Sequence, residues 1–335
     1  MKSLILKAPG GLDNMVFVER DVPALKAGEI LVRIHASSLN FHDYVVAMGI
    51  KPVEDGRVLM SDAGGEVAAV GAGVEGFAVG DRVVSVFYRE WLAGDIASDI
   101  QANTIPGDTC DGYASEYVAA PAAHFTKAPA GWSHAEAATL TCAGMTAWRG
   151  LVVEGKPKPG DTVLIQGTGG VSIFALQFAK AAGAMVIATS SSDQKLERLR
   201  ALGADHAINY KQTPEWGMKA REITGGRGVD HVVEIGGSGT LAQSIRACAR
   251  GGHIALIGVL AGMAGEIPTY EIFLNQLKIS GVLVGSRADQ LDMIRALDVN
   301  GIRPVIDSIF ALDALADAYR HQASGRHFGK ICVEF

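Results

Sequence analysis

Through the first 125 or so residues, apolar and polar positions alternate in short runs. ILVRIHASSL, GGEVAAVG, DRVVSVF and YASEYVAA are β-rich and are separated by Gly, Asp and Pro. That pattern predicts short strands joined by tight turns. Residues 133–136, SHAE, have the spacing of a capping box and predict a helix start. From about residue 160 the rhythm changes. TVLIQ predicts a strand, and VSIFALQFAKAAG a helix with Val171, Phe174, Ala175 and Phe178 on one face. MVIATS predicts a strand and DQKLERLRALGA a helix. VDHVVEIGG, GGHIALIGV and LKISGVLVG predict further buried strands. This alternation implies an α/β fold, a doubly wound parallel sheet with helices on both faces. The tail, IRPVIDSIF to GKICVEF, returns to β character with one helix, ALDALADAYRHQ. The simplest division joins residues 1–125 and 287–335 in one β-rich domain and gives 126–286 to the α/β domain. A cleft between the two is the expected place for a small molecule.

The chain has 335 residues, 48% of them hydrophobic, enough for two domains with a large core. Its net charge is −6 and no basic stretch stands out, so nucleic acid and anionic membrane are poor partners. MKSLILKAPGG is too short in apolar residues for a signal-peptide core, and VSIFALQFAKAAGA is broken by Lys180. Cys110, Cys142, Cys248 and Cys332 are scattered with no C-x-x-C pair. This argues against a disulfide framework and a four-cysteine zinc lobe, and for a reduced, cytoplasmic protein.

VLIQGTGGVS, residues 163–172, carries the chemistry. Gly167, Thr168, Gly169, Gly170 and Val171 hold the first two glycines of G-x-G-x-x-G, with Ser172 at the third position. The first glycine allows the sharp turn, the second lets backbone approach a pyrophosphate, and the third position needs only a small residue. Helix N-terminal amides then face the phosphates. The alternative is a purely structural turn; the flanking strand, helix and second strand at βαβ spacing favour the dinucleotide. A ribose 2′-OH reader would place Asp or Glu at the end of the second strand. That place holds Thr189, Ser190, Ser191 and Ser192, with Lys195 a few residues on. Hydroxyls and an ammonium suit a phosphate, which favours NADP(H) over NAD(H). Asp193, the nearest acid, reads better as a first-turn helix residue.

Several stretches together resemble the medium-chain dehydrogenase/reductase superfamily across essentially the whole chain. They are GDRV (80–83), DGYASEYV (111–118), AATLTCAGMTAW (137–148), KPGDTVLIQGTGGVS (158–172), LGADHAINY (202–210) and GGHIALIG (251–258). The resemblance implies a Rossmann domain, a GroES-like catalytic domain and a cofactor between them. It implies that Ser190, Lys195 and Tyr210 surround the adenosine 2′-phosphate, although Tyr210 also reads as an ordinary strand-end aromatic. It sets Gly258, Val259, Leu260, Val284, Gly285 and Ser286 at the nicotinamide end. Family dimers pair the strand at LKISGVLVG across a two-fold axis, which implies a homodimer or a dimer of dimers.

Many members of that family are zinc enzymes, and a catalytic zinc needs three protein ligands. The matching positions here hold Asn40, Asp62 and Cys142. Asn is a poor zinc ligand, and residues 87–112, where a structural zinc lobe would stand, contain one cysteine. The pattern is closer to the zinc-free quinone oxidoreductase branch. His42 could replace one ligand, which leaves a non-standard metal site as a minor alternative. Without a Lewis acid, reduction of a quinone, enone or related carbonyl is easier than alcohol oxidation. The candidate catalytic residues are Asn40, His42 as proton donor, and Tyr44. His42 also reads as a satisfied histidine at a helix start, and Tyr44 as packing against GGEVAAV. Lys51 stands where enoyl-thioester reductases of the superfamily carry a catalytic Tyr, which argues against that activity. Tyr88 and Trp91 either cover a planar substrate or form their loop's own core, and Cys142 either lines the pocket or is a small buried helix residue. Two other functions stay open: an alcohol dehydrogenase or ketone reductase with a remnant metal, and a protein that holds NADPH without turnover.

Overall fold

The computed structural model describes residues 1–96 and 105–335. Residues 97–104, inside the stretch assigned above to the replaced zinc lobe, lie outside the described residues. The chain divides into two compact units, Met1–Met145 with Val284–Phe335, and Thr146–Leu283.

The second unit is a six-stranded parallel sheet. Its strands lie in the order His206–Asn209, Met185–Ser190, Thr162–Gln166, Val229–Glu234, Cys248–Leu256, Lys278–Gly281. The unit's first strand, Thr162–Gln166, is central, and strand order reverses between it and Val229–Glu234. That is the switch point at which doubly wound folds bind ligands. Every residue of Thr162–Gln166 is buried, as expected of a strand covered on both faces. The helix after it, Gly170–Ala181, buries Phe174, Ala175 and Phe178 of the predicted face together with Ile173 and Leu176. Val171, at its first turn, is only half-buried. The strand Lys278–Gly281 is shorter and more exposed than LKISGVLVG suggested. It is the sheet edge, so one side of its ladder has no neighbour in the sheet.

The first unit is mostly antiparallel. A three-stranded sheet orders Met15–Glu19, Lys2–Leu6 and Arg57–Val58. A seven-stranded sheet includes Glu29–Ser38, Gly64–Val70, Arg82–Ser85 and the tail strands Ile306–Ala311 and Lys330–Glu334. The tail strand pairs antiparallel with the end of Glu29–Ser38, Cys332 opposite Ser38. This register brings Lys330 next to the helix Phe41–Ala47, 290 residues away in sequence from Asn40. The capping box forms as predicted: Ser133 Oγ accepts from the Glu136 amide at 3.2 Å, and Glu136 accepts from the Ser133 amide at 2.8 Å. The helix it opens, His134–Ala138, lies in the first unit rather than with the cofactor domain. The reason is close packing. A Cβ on Gly64 would stand 2.1 Å from the His134 carbonyl oxygen, so only glycine permits this approach. Two π-helical turns follow, Leu140–Gly144, which carries Cys142, and Arg149–Gly155. Among the described residues, no helix is long and apolar enough to cross a membrane.

Candidate active site and cofactor site

The glycine turn sits at the C-terminal end of the central strand. Gly167 has φ +71°, a conformation that favours glycine, and its amide donates to the Thr189 carbonyl at 2.8 Å. A Cβ at Gly169 would meet no atom within 4 Å, so the backbone faces open space there. The first-turn amides of Gly170–Ala181 lack intrahelical acceptors and suit an anion. Ser172 does more than stay small: its hydroxyl donates to the Gln166 carbonyl at 2.6 Å and pins the turn. The cradle fits a dinucleotide pyrophosphate.

Beneath the turn lies a network that sequence reasoning missed. Glu234, at the end of its strand, is fully buried. Its Oε1 accepts from the amides of Gly236 at 2.7 Å and Gly237 at 3.1 Å and from Thr240 at 2.5 Å. Its Oε2 accepts from Gln166 at 2.6 Å and from the Ser244 hydroxyl. Five donors thus replace the water lost on burial.

Ser190 is buried, Ser191 half-buried, and Tyr210 40% exposed. The Tyr210 amide donates to the Ser190 carbonyl at 3.1 Å, and Ser192 caps the helix Asp193–Ala201 that carries Lys195. These side chains therefore share one end of two adjacent strands. Asp193 is held elsewhere: Asn209 donates to its Oδ1 at 2.7 Å and Gln212 to its Oδ2 at 3.1 Å.

The predicted nicotinamide-end residues fall in both units. Gly258, Val259 and Leu260 follow the strand Cys248–Leu256, and Val259 and Leu260 are exposed. The Leu260 amide donates to the Ile235 carbonyl at 3.2 Å, which ties this loop to the one after Glu234. Val284, Gly285 and Ser286 open the other unit's final segment. Val284 has φ +38°, which is strained for a β-branched residue and is the kind of outlier that clusters at functional sites. Ser286 caps the helix Arg287–Asn300, its hydroxyl donating to Asp289 at 2.8 Å.

In the first unit, Asn40, Ser61 and Asp62 are buried around the Lys330 ammonium. Lys330 Nζ donates to Asn40 Oδ1 and to the Leu39 carbonyl, both at 2.6 Å, and lies 3.7 Å from Asp62 Oδ2. Asn40 Nδ2 donates to Ser61 at 3.3 Å, and Ser38 donates to Asp62 at 2.5 Å. Burial pushes the Asp62 carboxyl up to about 6 against the pull of Lys330. Lys330 had no signal in the sequence. Its ammonium already takes the Asn40 oxygen and pairs with Asp62, so these residues do not fit a tetrahedral metal. Among the described residues, no three His, Cys, Asp or Glu side chains converge as a metal cluster.

His42 is the second residue of the helix Phe41–Ala47, its side chain 28% exposed. Its Nε2 sits 3.2 Å from Oδ2 of Asp108, a buried residue that also receives the Lys51 ammonium. Burial disfavours the Asp108 charge, but contacts with His42 and Lys51 outweigh it and hold the carboxyl below its usual range. The His42 ring meets Phe87 edge-on with centroids 5.9 Å apart, and Phe87 meets Tyr88 at 5.1 Å. Burial pushes the Tyr88 hydroxyl up to about 12, aided by Cys142 and Asp108. His42, Lys51, Tyr88, Asp108 and Cys142 therefore form one neighbourhood. Trp91 is buried and donates its indole N–H to the Gly94 carbonyl at 2.9 Å, tying down its own loop. Tyr44 packs toward Tyr319, centroids 6.1 Å apart, in the core cluster of Leu4, Val46 and Met60 rather than against Gly64–Val70.

A Rossmann unit with an anion-binding glycine turn, joined in one chain to a β-rich unit with a buried acid–base cluster, defines a nicotinamide-type oxidoreductase fold. Residues 26–130 match the alcohol dehydrogenase GroES-like domain, and residues 170–299 match the zinc-binding dehydrogenase family. A zinc-type alcohol dehydrogenase-like protein of Schizosaccharomyces pombe is 42% identical over 97% of this chain and 96% of its own. A crystal structure of an NAD-dependent alcohol dehydrogenase is 35% identical, with a TM-score of 0.91 over 100% of both chains. A mycobacterial protein crystallised with NADPH is 25% identical, with a TM-score of 0.83 over 100% of both chains. The chain belongs to the medium-chain dehydrogenase/reductase superfamily. It is an alcohol dehydrogenase-like oxidoreductase of that family.

Proposed function

We propose that the chain is an NADPH-dependent reductase of quinones, enones and related carbonyls that works without a metal ion. The observation that carries this reading is Lys330: its ammonium engages the Asn40 oxygen and Asp62, the positions where a zinc enzyme of the family needs free ligands. The preference for a phosphorylated cofactor is supported by Ser190, Ser191, Lys195 and Tyr210 at the strand ends, with Asp193 held by Asn209 and Gln212. The NADPH complex of the mycobacterial relative agrees with it.

The bound cofactor supplies a hydride, two electrons, to the β-carbon of an enone or to a quinone. The chain's own part is to hold the pyrophosphate on the turn at Gly167–Gly170 and the 2′-phosphate near Lys195. His42 then delivers the one proton that balances the hydride, and it recovers a proton from solvent afterwards. Tyr88, its hydroxyl neutral, donates a hydrogen bond to the oxygen on which negative charge grows.

A second reading, alcohol oxidation with NAD, is favoured by the NAD-dependent alcohol dehydrogenase relative. Initial rates with 2-cyclohexen-1-one, 9,10-phenanthrenequinone and a series of alcohols, with NADPH and NADH, separate the two. A zinc assay of protein purified without chelator completes the test. NADPH-linked reduction with no stoichiometric zinc is expected. One zinc per chain together with NADH-linked alcohol turnover overturns the proposal.

The enzyme acts as a dimer on this reading. The edge strand Lys278–Gly281 and the helix Thr269–Asn275 expose Tyr270, Phe273 and Leu274 beside an unpaired ladder, a surface suited to a second copy. Analytical ultracentrifugation of a Phe273→Glu variant should show monomer where the parent chain shows dimer; a monomeric parent chain refutes the assignment.

A further inference from the structure

Taking His42 as the proton donor, as in the reading above, leaves open what governs its ring. His42 Nε2 is shut off from solvent and lies 3.2 Å from Asp108 Oδ2, an ion-pair contact without hydrogen-bond alignment. The ring also meets Phe87 edge-on, with centroids 5.9 Å apart. Lys51 shares the same carboxylate oxygen. Tyr88 and Cys110 also feel the Asp108 charge, and Cys142 acts on Tyr88. On the helix that carries His42, Asp43 is turned away: its carboxylate accepts from the Asn40 amide at 3.0 Å and the Ser61 amide at 2.9 Å. Asp108 is therefore the carboxylate that His42 meets.

We propose that Asp108 is the positioning residue of His42, and that Lys51 tunes it by competing for the same oxygen. The carboxylate fixes the ring with Nε2 inward, leaving Nδ1 as the nitrogen that exchanges a proton with substrate. Its negative charge favours the protonated ring that reduction needs. The Lys51 ammonium works against that ring, directly by like charge and indirectly by neutralising Asp108. The two residues thus act with opposite sign on one group, which a merely structural role does not predict.

The test is the pH profile of kcat/KM for NADPH-dependent reduction of 2-cyclohexen-1-one, with NADPH affinity read by fluorescence titration. Activity through an acid falls as pH rises past its titration, so the alkaline limb reports the ring. Asp108→Asn should move that limb to lower pH and cut kcat/KM about 10- to 100-fold, with unchanged NADPH affinity. Asp108→Glu should restore most of both. Lys51→Gln should move the limb the other way. Shifts in the same direction, or none in either variant, overturn the proposal. If Asp108→Asn fails to fold, the Lys51→Gln shift decides alone. His42→Gln should lose the limb and at least about 100-fold in rate. A His42→Gln enzyme with parental rate and limb would instead sink the proton-donor reading on which this proposal stands.

Discussion

Lys195 and Ser190 are the residues on which cofactor choice turns. Hydroxyls and an ammonium stabilise a dianionic 2′-phosphate, whereas a carboxylate would repel it. Lys195→Ala should raise the KM for NADPH at least about tenfold, the loss of a charge-assisted contact, and leave the KM for NADH within about twofold. Ser190→Asp should invert the preference. Initial-rate kinetics with both cofactors decide it, and equal losses for both would remove Lys195 from the phosphate site. These residues were legible because they are local: the strand MVIATS, its serines and the following lysine lie within a dozen positions. Lys330 and Asp108 were not. Neither TIPGDTCDG nor HFGKICVEF carries a period or spacing that points at Asn40 or His42. Their roles arise only when the tail strand pairs beside Ser38 and Asp108 folds in beneath the helix Phe41–Ala47.

Among the elements, the strand Val229–Glu234 was readable from its apolar run, but the acid at its end was not interpretable until its partners met it. Gln166 comes from the neighbouring strand, and Thr240 and Ser244 come from the helix Ser238–Ala247, which the sequence reading had not picked out. Glu234 joins the strand that feeds the glycine turn to the loop after its own strand. A carboxamide offers one acceptor oxygen and turns its NH₂ toward groups that are themselves donors. Glu234→Gln should therefore destabilise the protein by about 2–3 kcal/mol, the cost of stranding buried donors, and weaken NADPH binding through a looser Gln166–Gly167 turn. Urea unfolding and fluorescence titration measure the two effects. An unchanged midpoint would mean that the network relaxes around the amide. A full loss of stability with normal NADPH affinity would confine Glu234 to folding.

Across the molecule, three histidines stand well below their ordinary range. Burial is the leading cause in each, and it holds His124, His134 and His253 at about 4. Arg89 adds to it at His124, His35 at His134, and His231 at His253. Each ring is neutral when folded and takes a proton near 6.5 when unfolded, so between those values the unfolded chain binds more protons. Their contribution to stability is complete above about pH 6.5 and is lost as pH falls toward 4. Asp62, raised to about 6, has the opposite sign, because between pH 4 and 6 the folded chain holds the extra proton. One carboxyl against three imidazoles leaves a net fall in stability on acidification. The melting temperature should therefore be nearly flat from pH 8 to 7 and decline below about pH 6.5. His124 and His134 belong to the first unit and His253 to the second, so both units should soften together. His253→Gln removes one of the three proton uptakes, and the drop in melting temperature between pH 7 and pH 5 should shrink in that variant. A melting temperature that rises on acidification, or a slope that His253→Gln leaves untouched, would mean that these rings are protonated in the folded chain after all.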